Sequence, residues 1–186
     1  MSEMMKTILG RRSVRQFRPE QISDQELETI LQAGRYAPSG MNGQPWHFSV
    51  LQNRALLSRI NEATRTMMLN SGIPSMKERA QKPGFSVYHQ APTLIIISGD
   101  PRSITYQFDC TLALGTMFLA AESLEIGSCW IYGAAAALAA EENRALAREL
   151  AVPDGFVVQS CGAFGFPVGR SQPAAPRKDD TITFIR

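Results

Sequence analysis

Six residues in the middle of the chain, Thr93-Leu94-Ile95-Ile96-Ile97-Ser98, place four large apolar side chains in a row between Pro92 and Gly99. A half-exposed strand alternates apolar and polar residues. A short, continuous, largely β-branched run bounded by turn residues instead reads as a strand buried on both faces. Such a strand needs a packed interior around it, and a chain of 186 residues, 44% hydrophobic and 19% charged, is long enough to bury one. The same figures exclude a disordered, collagenous or fibrous chain.

Around that run the sequence alternates helices and strands, with no repeat, no low-complexity tract and no linker before the last twenty residues. Residues 3–10 read as a short helix. Ser23-Asp24-Gln25-Glu26 is a capping box, and Leu27, Ile30, Leu31 and Ala33 follow helical spacing behind it as far as Ala37. The turn-rich residues 38–45 end that helix. A strand is expected over 47–51, a helix from Asn53 to about Leu69, and an irregular flap over 71–90. Residues 103–125 read as a helix whose middle is apolar nearly all round, hence covered on every side, with Gly127 as its stop. Strands over 128–132 and 156–164 enclose a helix over 141–150 and the Pro153-Asp154-Gly155 turn.

After Pro167 the chain becomes a tail, residues 169–178, in which Pro173 and Pro176 forbid helix. Thr181-Ile182-Thr183-Phe184-Ile185 then reads as one more strand. A hydrophobic strand on a proline-rich arm must be covered, because flat exposed edges invite aggregation. It either folds back on its own sheet or crosses to the sheet of a second subunit.

The charge balance, 19 Lys+Arg against 17 Asp+Glu, gives a formal +2, too small a surplus to argue for nucleic-acid or membrane binding. Among the cations 15 are Arg and 4 are Lys. Arg suits anionic ligands through its planar fork of donors, and a genome-wide codon bias would give the same counts. Residues 1–12 hold no apolar run of signal-peptide length, and the longest apolar stretch, residues 110–121, falls short of the ~20 a membrane span needs. These features read as a cytoplasmic protein. Cys110, Cys129 and Cys161 lie far apart in apolar surroundings without CxxC spacing, and read as buried small hydrophobes.

Three segments could carry chemistry. Arg11-Arg12-Ser13-Val14-Arg15 offers three guanidinium groups and a hydroxyl within five residues, which suits a phosphate and equally a solvated basic face. In the 38–45 loop, Ser39, Asn42 and Gln44 supply donors and acceptors while Gly40 and Gly43 allow close backbone approach; such a loop can also be only a turn. Pro176-Arg177-Lys178 brings a second cation pair from the far end of the chain. The sequence has no GxGxxG after a strand, no Walker motif, no HExxH and no GxSxG. Triad and metal-hydrolysis chemistry therefore have no support, and an enzyme of this kind would borrow its hard chemistry from an organic cofactor.

Ile8-Leu9-Gly10-Arg11-Arg12-Ser13-Val14-Arg15-Gln16-Phe17, the Ala37-Pro38-Ser39-Gly40-Met41-Asn42-Gly43-Gln44-Pro45-Trp46 loop, the Leu124-Glu125-Ile126-Gly127-Ser128-Cys129-Trp130-Ile131 join and Pro176-Arg177-Lys178 resemble, in order and spacing, the FMN-dependent nitroreductase family. The resemblance spans residues 6–186. It implies an α+β fold with a mixed, mainly antiparallel sheet flanked by helices. One domain would cover 1–186, with a core of about 6–168 and an arm, 169–186, extending onto the partner of an intertwined homodimer.

It also implies FMN at the subunit interface and NAD(P)H as co-substrate. Arg11, Arg12 and Ser13 would take the phosphate and ribityl end, Arg15 the N1/O2 edge, and Tyr132 and Gly133 the region of N5 through backbone groups. Pro38, Ser39 and Gly40 would come from the partner, Asn42 and Gln44 would order the ring surroundings, and Arg177 and Lys178 would return to the phosphate. No side chain need be an obligatory acid or base. The expected reaction is ping-pong hydride transfer to a small electron-poor acceptor such as a nitroaromatic or quinone, without nucleic-acid or membrane partners. Same-fold chemistries, namely dehalogenation, flavin consumption or azoline dehydrogenation, and a non-catalytic flavin-binding module are the alternatives. The stretch 84–90 offers no clear match to the Lys or Asn that relatives often place beside the flavin, and residues 70–90 would form much of the pocket mouth.

Overall fold

The capping box forms as expected. Ser23 Oγ accepts from the Glu26 amide at 3.3 Å, the Ser23 amide donates to Glu26 Oε2 at 2.7 Å, and the Ser23 hydroxyl, with that amide second, holds the carboxyl below its ordinary range. In the computed structural model, which describes residues 1–169 and 173–186, this box opens helix α2, Asp24–Arg35, after helix α1, Glu3–Gly10. Strand β1, Trp46–Leu51, follows. Asn53 then caps helix α3, Arg54–Asn70, its side chain accepting from the Ala55 and Leu56 amides. Helix α4, Pro74–Gln81, precedes strand β2, Thr93–Gly99. Helix α5, Tyr106–Ser123, strand β3, Gly127–Trp130, helix α6, Tyr132–Ala139, helix α7, Arg144–Glu149, and strand β4, Val157–Gly165, complete the order.

The four strands form one antiparallel sheet in the order β1-β2-β4-β3. Every residue of β2 is buried, as its composition demands. Leu94 and Ile96 pack with Leu57 and Ile60 of α3, Leu138 of α6 and Leu150 beyond α7. Ile95 and Ile97 face the other way, against Ile30 of α2, Leu114 and Met117 of α5, and Phe164 of β4. Each such side chain contributes about 1.5–3 kcal/mol on burial, so two helical layers around one strand hold the core.

Several expectations are corrected. The parallel component of the sheet reduces to an isolated bridge between Ser13 and Ser128. Within the stretch read as a flap lies α4, which Pro74 starts from the first helical position, where its missing amide costs nothing. The strand expected over 128–132 ends at Trp130, and Tyr132 instead opens α6. The expected 141–150 helix is a 3-10 turn, Glu141–Asn143, followed by the shorter α7.

Helix α5 is not stopped by Gly127. Glu125 takes the left-handed conformation at φ 58°, and the Ile126 amide reaches back to the Ala121 carbonyl at 2.9 Å. Nor is α5 covered on every side, since Phe108 is 70% and Leu112 49% exposed on one chain. Residues 181–185 form no strand, and Ile182, Phe184 and Ile185 are exposed, because the segment pairs with neither edge of the chain's own sheet. The tail's residues 170–172 lie outside the described residues. The three cysteines are free and buried, as expected, and no helix among the described residues is long and apolar enough to cross a membrane.

The hydroxyl of Ser160 is buried without a hydrogen-bond partner, opposite Ile97 in the ladder. Ser160→Ala should therefore be neutral or stabilising, whereas Ile97→Ala should cost about 2–5 kcal/mol. Urea denaturation of the two variants measures both.

Candidate cofactor site

The arginine-rich segment leaves α1 and is sewn along the end of the sheet. The Val14 amide donates to the Ser128 carbonyl at 2.9 Å, the Arg18 amide to the Phe166 carbonyl at 2.9 Å, and the Val168 amide to the Gln16 carbonyl at 3.0 Å. A Cβ on Gly127 would meet Val14 Cγ2 at 2.8 Å and its Cβ at 3.0 Å, so glycine is what lets this segment lie against β3. With Val14 fixed there, the neighbouring Arg15 lines a cavity of about 630 Å³.

Opposite elements complete the cavity. The join of β3 to α6 contributes Cys129, Trp130 and Ile131, then Tyr132 and Gly133 at the first turn of α6. First-turn amides have no intrahelical acceptor, so the start of α6 presents N–H groups and partial positive charge. Trp130 and Tyr132 meet edge to face, ring centres 6.4 Å apart. Met67 and Met68 of α3 and Met76 of α4 supply an apolar wall, and Arg79 and His89 add basic groups. Among the described residues no aspartate or glutamate lines the cavity.

The electrostatics follow. His89, held at φ 55°, has its pKa lowered first by burial and then by Arg79 and Arg15, which favours the neutral imidazole. Burial raises the Cys129 thiol pKa against the opposing pull of Arg15, Arg11 and Arg79 and a Ser13 hydrogen bond, and its Sγ–H donates to the Trp130 carbonyl at 3.7 Å. The cavity therefore favours an anion. A flat ring system that gains negative charge on reduction, with a phosphate at one end, suits this set of donors and apolar walls.

Of the residues singled out in the sequence, Arg15, Tyr132 and Gly133 meet at this cavity. Ser13 bridges to Ser128 beside it. Arg11 lies 6.0 Å from the Phe118 ring centre, Arg12 Nη1 donates to the Leu9 and Arg11 carbonyls at 2.7 Å, and both guanidinium groups act on Glu122. One chain does not bring the remaining residues here. Its 38–45 loop is pinned to α5, the Gly40 amide donating to Asp109 Oδ1 at 3.1 Å, with the Gln44 amide on Ser39 Oγ and Gln44 Nε2 on Asn42 Oδ1. Pro38 precedes that anchored corner. Arg177 and Lys178 are exposed, Arg177 donating to the Ala175 carbonyl. Sequence reasoning missed Arg79 and His89. The signal for them was regional, the expectation that residues 70–90 form much of the pocket mouth, which gave no role to either side chain.

The profile of the nitroreductase family matches residues 8–169. A protein of Archaeoglobus fulgidus, provisionally named an NADH dehydrogenase/NAD(P)H nitroreductase, is 33% identical over 172 residues, 90% of this chain and 87% of that protein. The crystal structure of an FMN-bound nitroreductase from Bacteroides fragilis NCTC 9343 superposes with a TM-score of 0.93 at 37% identity, covering all of both chains. An FMN-bound nitroreductase from Desulfitobacterium hafniense DCB-2 gives 0.91 at 28% identity, again over both whole chains. With its sheet, its cation-lined cavity and these matches together, the chain belongs to the nitroreductase family.

Gly127→Ala should lower stability by about 1–3 kcal/mol by driving Val14 off β3, and adding Val14→Ala should recover part of the loss. Urea midpoints of the single and double variants check this. His89 sets a second test. Above its ordinary pKa of 6.5 it is neutral in both states and adds no pH dependence. As pH falls through that value the unfolded chain takes up the proton first, so the fold loses stability until the folded imidazole also titrates. Between pH 7 and 5 the thermal midpoint of His89→Gln should fall less than that of the parent protein.

Proposed function

We propose that this protein is a cytoplasmic, homodimeric FMN oxidoreductase that moves a hydride from NAD(P)H to a small electron-poor acceptor, a nitroaromatic or quinone, in a ping-pong cycle. The observation that carries this reading is the meeting of Arg15 with the first-turn amides of Tyr132 and Gly133 in one cavity free of carboxylates. FMN, when bound, supplies the redox chemistry by taking the hydride from the nicotinamide and passing it on.

The protein's part is binding, orientation and charge. Arg15 would hold the negative charge that reduction places on the ring edge, and the Tyr132 and Gly133 backbone would fix the ring opposite. Arg11, Arg12 and Ser13 would hold the phosphate and ribityl end, joined by Arg177 and Lys178. Pro38, Ser39, Gly40, Asn42 and Gln44 would complete the site from the second subunit, which fits a loop anchored to α5 and not lining the cavity of its own chain. Trp130, Tyr132 and the methionine wall would exclude water from the face where donor and acceptor alternate. No lining side chain is required as an obligatory acid or base.

The chain is read as a single domain with a core of about 6–168 and an arm, 169–186, that crosses to the partner. The exposed Phe108 and Leu112 on α5, together with Ile182 and Phe184 on the arm, support a second copy as cover. Deletion of residues 169–186 should turn a species of twice 20.5 kDa into a monomer in sedimentation equilibrium.

An anaerobic absorbance spectrum before and after NADH, then NADPH, tests the chemistry. Flavin bands that bleach are expected; bands unmoved by either nucleotide would favour a flavin-binding module without turnover. Arg15→Ala should slow turnover by roughly 10²-fold with flavin retained, whereas Arg177→Ala should chiefly lower flavin content after dialysis.

A further inference from the structure

The proposed roles leave one basic group unused. Arg79 stands at the exposed edge of the cavity, one turn of α4 beyond Ser75, with His89 also in the lining. Among the described residues no carboxylate pairs with it. Its acidic neighbours are engaged elsewhere, Glu78 with Lys82 at 3.7 Å and Glu62 with Arg65 at 3.9 Å. The proposed phosphate end already has Arg11, Arg12, Arg177 and Lys178 assigned to it, and the ring edge has Arg15. Arg79 is thus a second guanidinium on a cavity without acids, close enough to Arg15 that both bear on the same imidazole. Two like charges sharing a partly apolar cavity call for a second anion.

We propose that Arg79, assisted by the hydroxyl of Ser75 and by His89, is an anion subsite at the cavity rim that selects electron acceptors carrying a carboxylate on an aromatic ring. The inference rests on the oxidoreductase reading for its notion of an acceptor. The surroundings fit such a molecule. Met67, Met68 and Met76 offer soft thioether contacts to a flat ring, and Trp130 and Tyr132 offer aromatic ones. Arg79 presents two parallel N–H donors to a carboxylate, and the uncharged imidazole of His89 adds a donor without a further charge.

The test compares nitrobenzene with 4-nitrobenzoate on the flavin-loaded protein and on Arg79→Gln, and titrates both proteins with benzoate by calorimetry. The parent protein should prefer 4-nitrobenzoate in kcat/KM, and Arg79→Gln should lose roughly 10- to 100-fold of that preference and of benzoate affinity. Flavin content and thermal midpoint should stay the same, and Arg79→Lys should restore part of the preference. Equal handling of the two acceptors by the parent protein, or benzoate binding indifferent to Arg79, would overturn the subsite. So would a fall in flavin content, which would put Arg79 on the cofactor, or a loss confined to the KM of NADH or NADPH, which would put it on the donor. Absence of flavin and of turnover with either acceptor, with benzoate still bound in an Arg79-dependent way, would remove the oxidoreductase reading and leave the anion subsite standing.

Discussion

Everything in this fold is arranged around a strand that has no polar face. Because β2 buries side chains in both directions, the chain must build two helical layers, α3, α6 and α7 on one side and α2 and α5 on the other, before any one of them is stable. That requirement places the site. The layer holding α3 and α6 meets the end of the sheet where β3 and the arginine segment lie side by side, and the gap left between them is the cavity. The close approach is conditional on Gly127, so a position with no chemistry of its own governs where Arg15 stands.

What could be read in the sequence was what local physics decides. The β2 run, the Ser23 box and the Asn53 cap each announce themselves within a few residues, and all three appear as expected. Helix α6 did not, because Gly133-Ala134-Ala135-Ala136-Ala137 has no contrast between faces, and its helical state is decided by packing on α3 and β4. The end of α5 misled for a related reason. Gly127 looked like the stop, but tertiary contact with Val14 claimed the glycine, and Glu125 accepted the left-handed turn in its place.

The site was legible to the extent that its residues lie in continuous motifs. Arg15 lies in one such stretch, Tyr132 and Gly133 directly follow another, and the three line one cavity. Arg79 and His89 could be placed only with the rest of the 70–90 pocket mouth, because they come from α4 and the turn before β2, which converge only once α4 has packed on α3. The pattern 181–185 spells a strand without saying whose sheet it joins, since the edge strands β1 and β3 of any copy offer the same open ladder groups. Residues 38–45 pose the same problem, being well anchored to α5 yet away from the cavity of their own chain.

The methionine wall has a further consequence, for working lifetime. Met67 and Met76 are partly exposed at the cavity while Met68 is buried behind them. A thioether takes up oxygen from peroxide and becomes a polar, chiral sulfoxide, and the two outer residues will do so first. Each conversion puts a hydrogen-bond acceptor on what had been an apolar surface, without touching the β2 core. Under oxidative conditions this molecule is therefore built to lose the fit of its cavity long before it loses its fold, and a methionine sulfoxide reductase could return it to service without resynthesis.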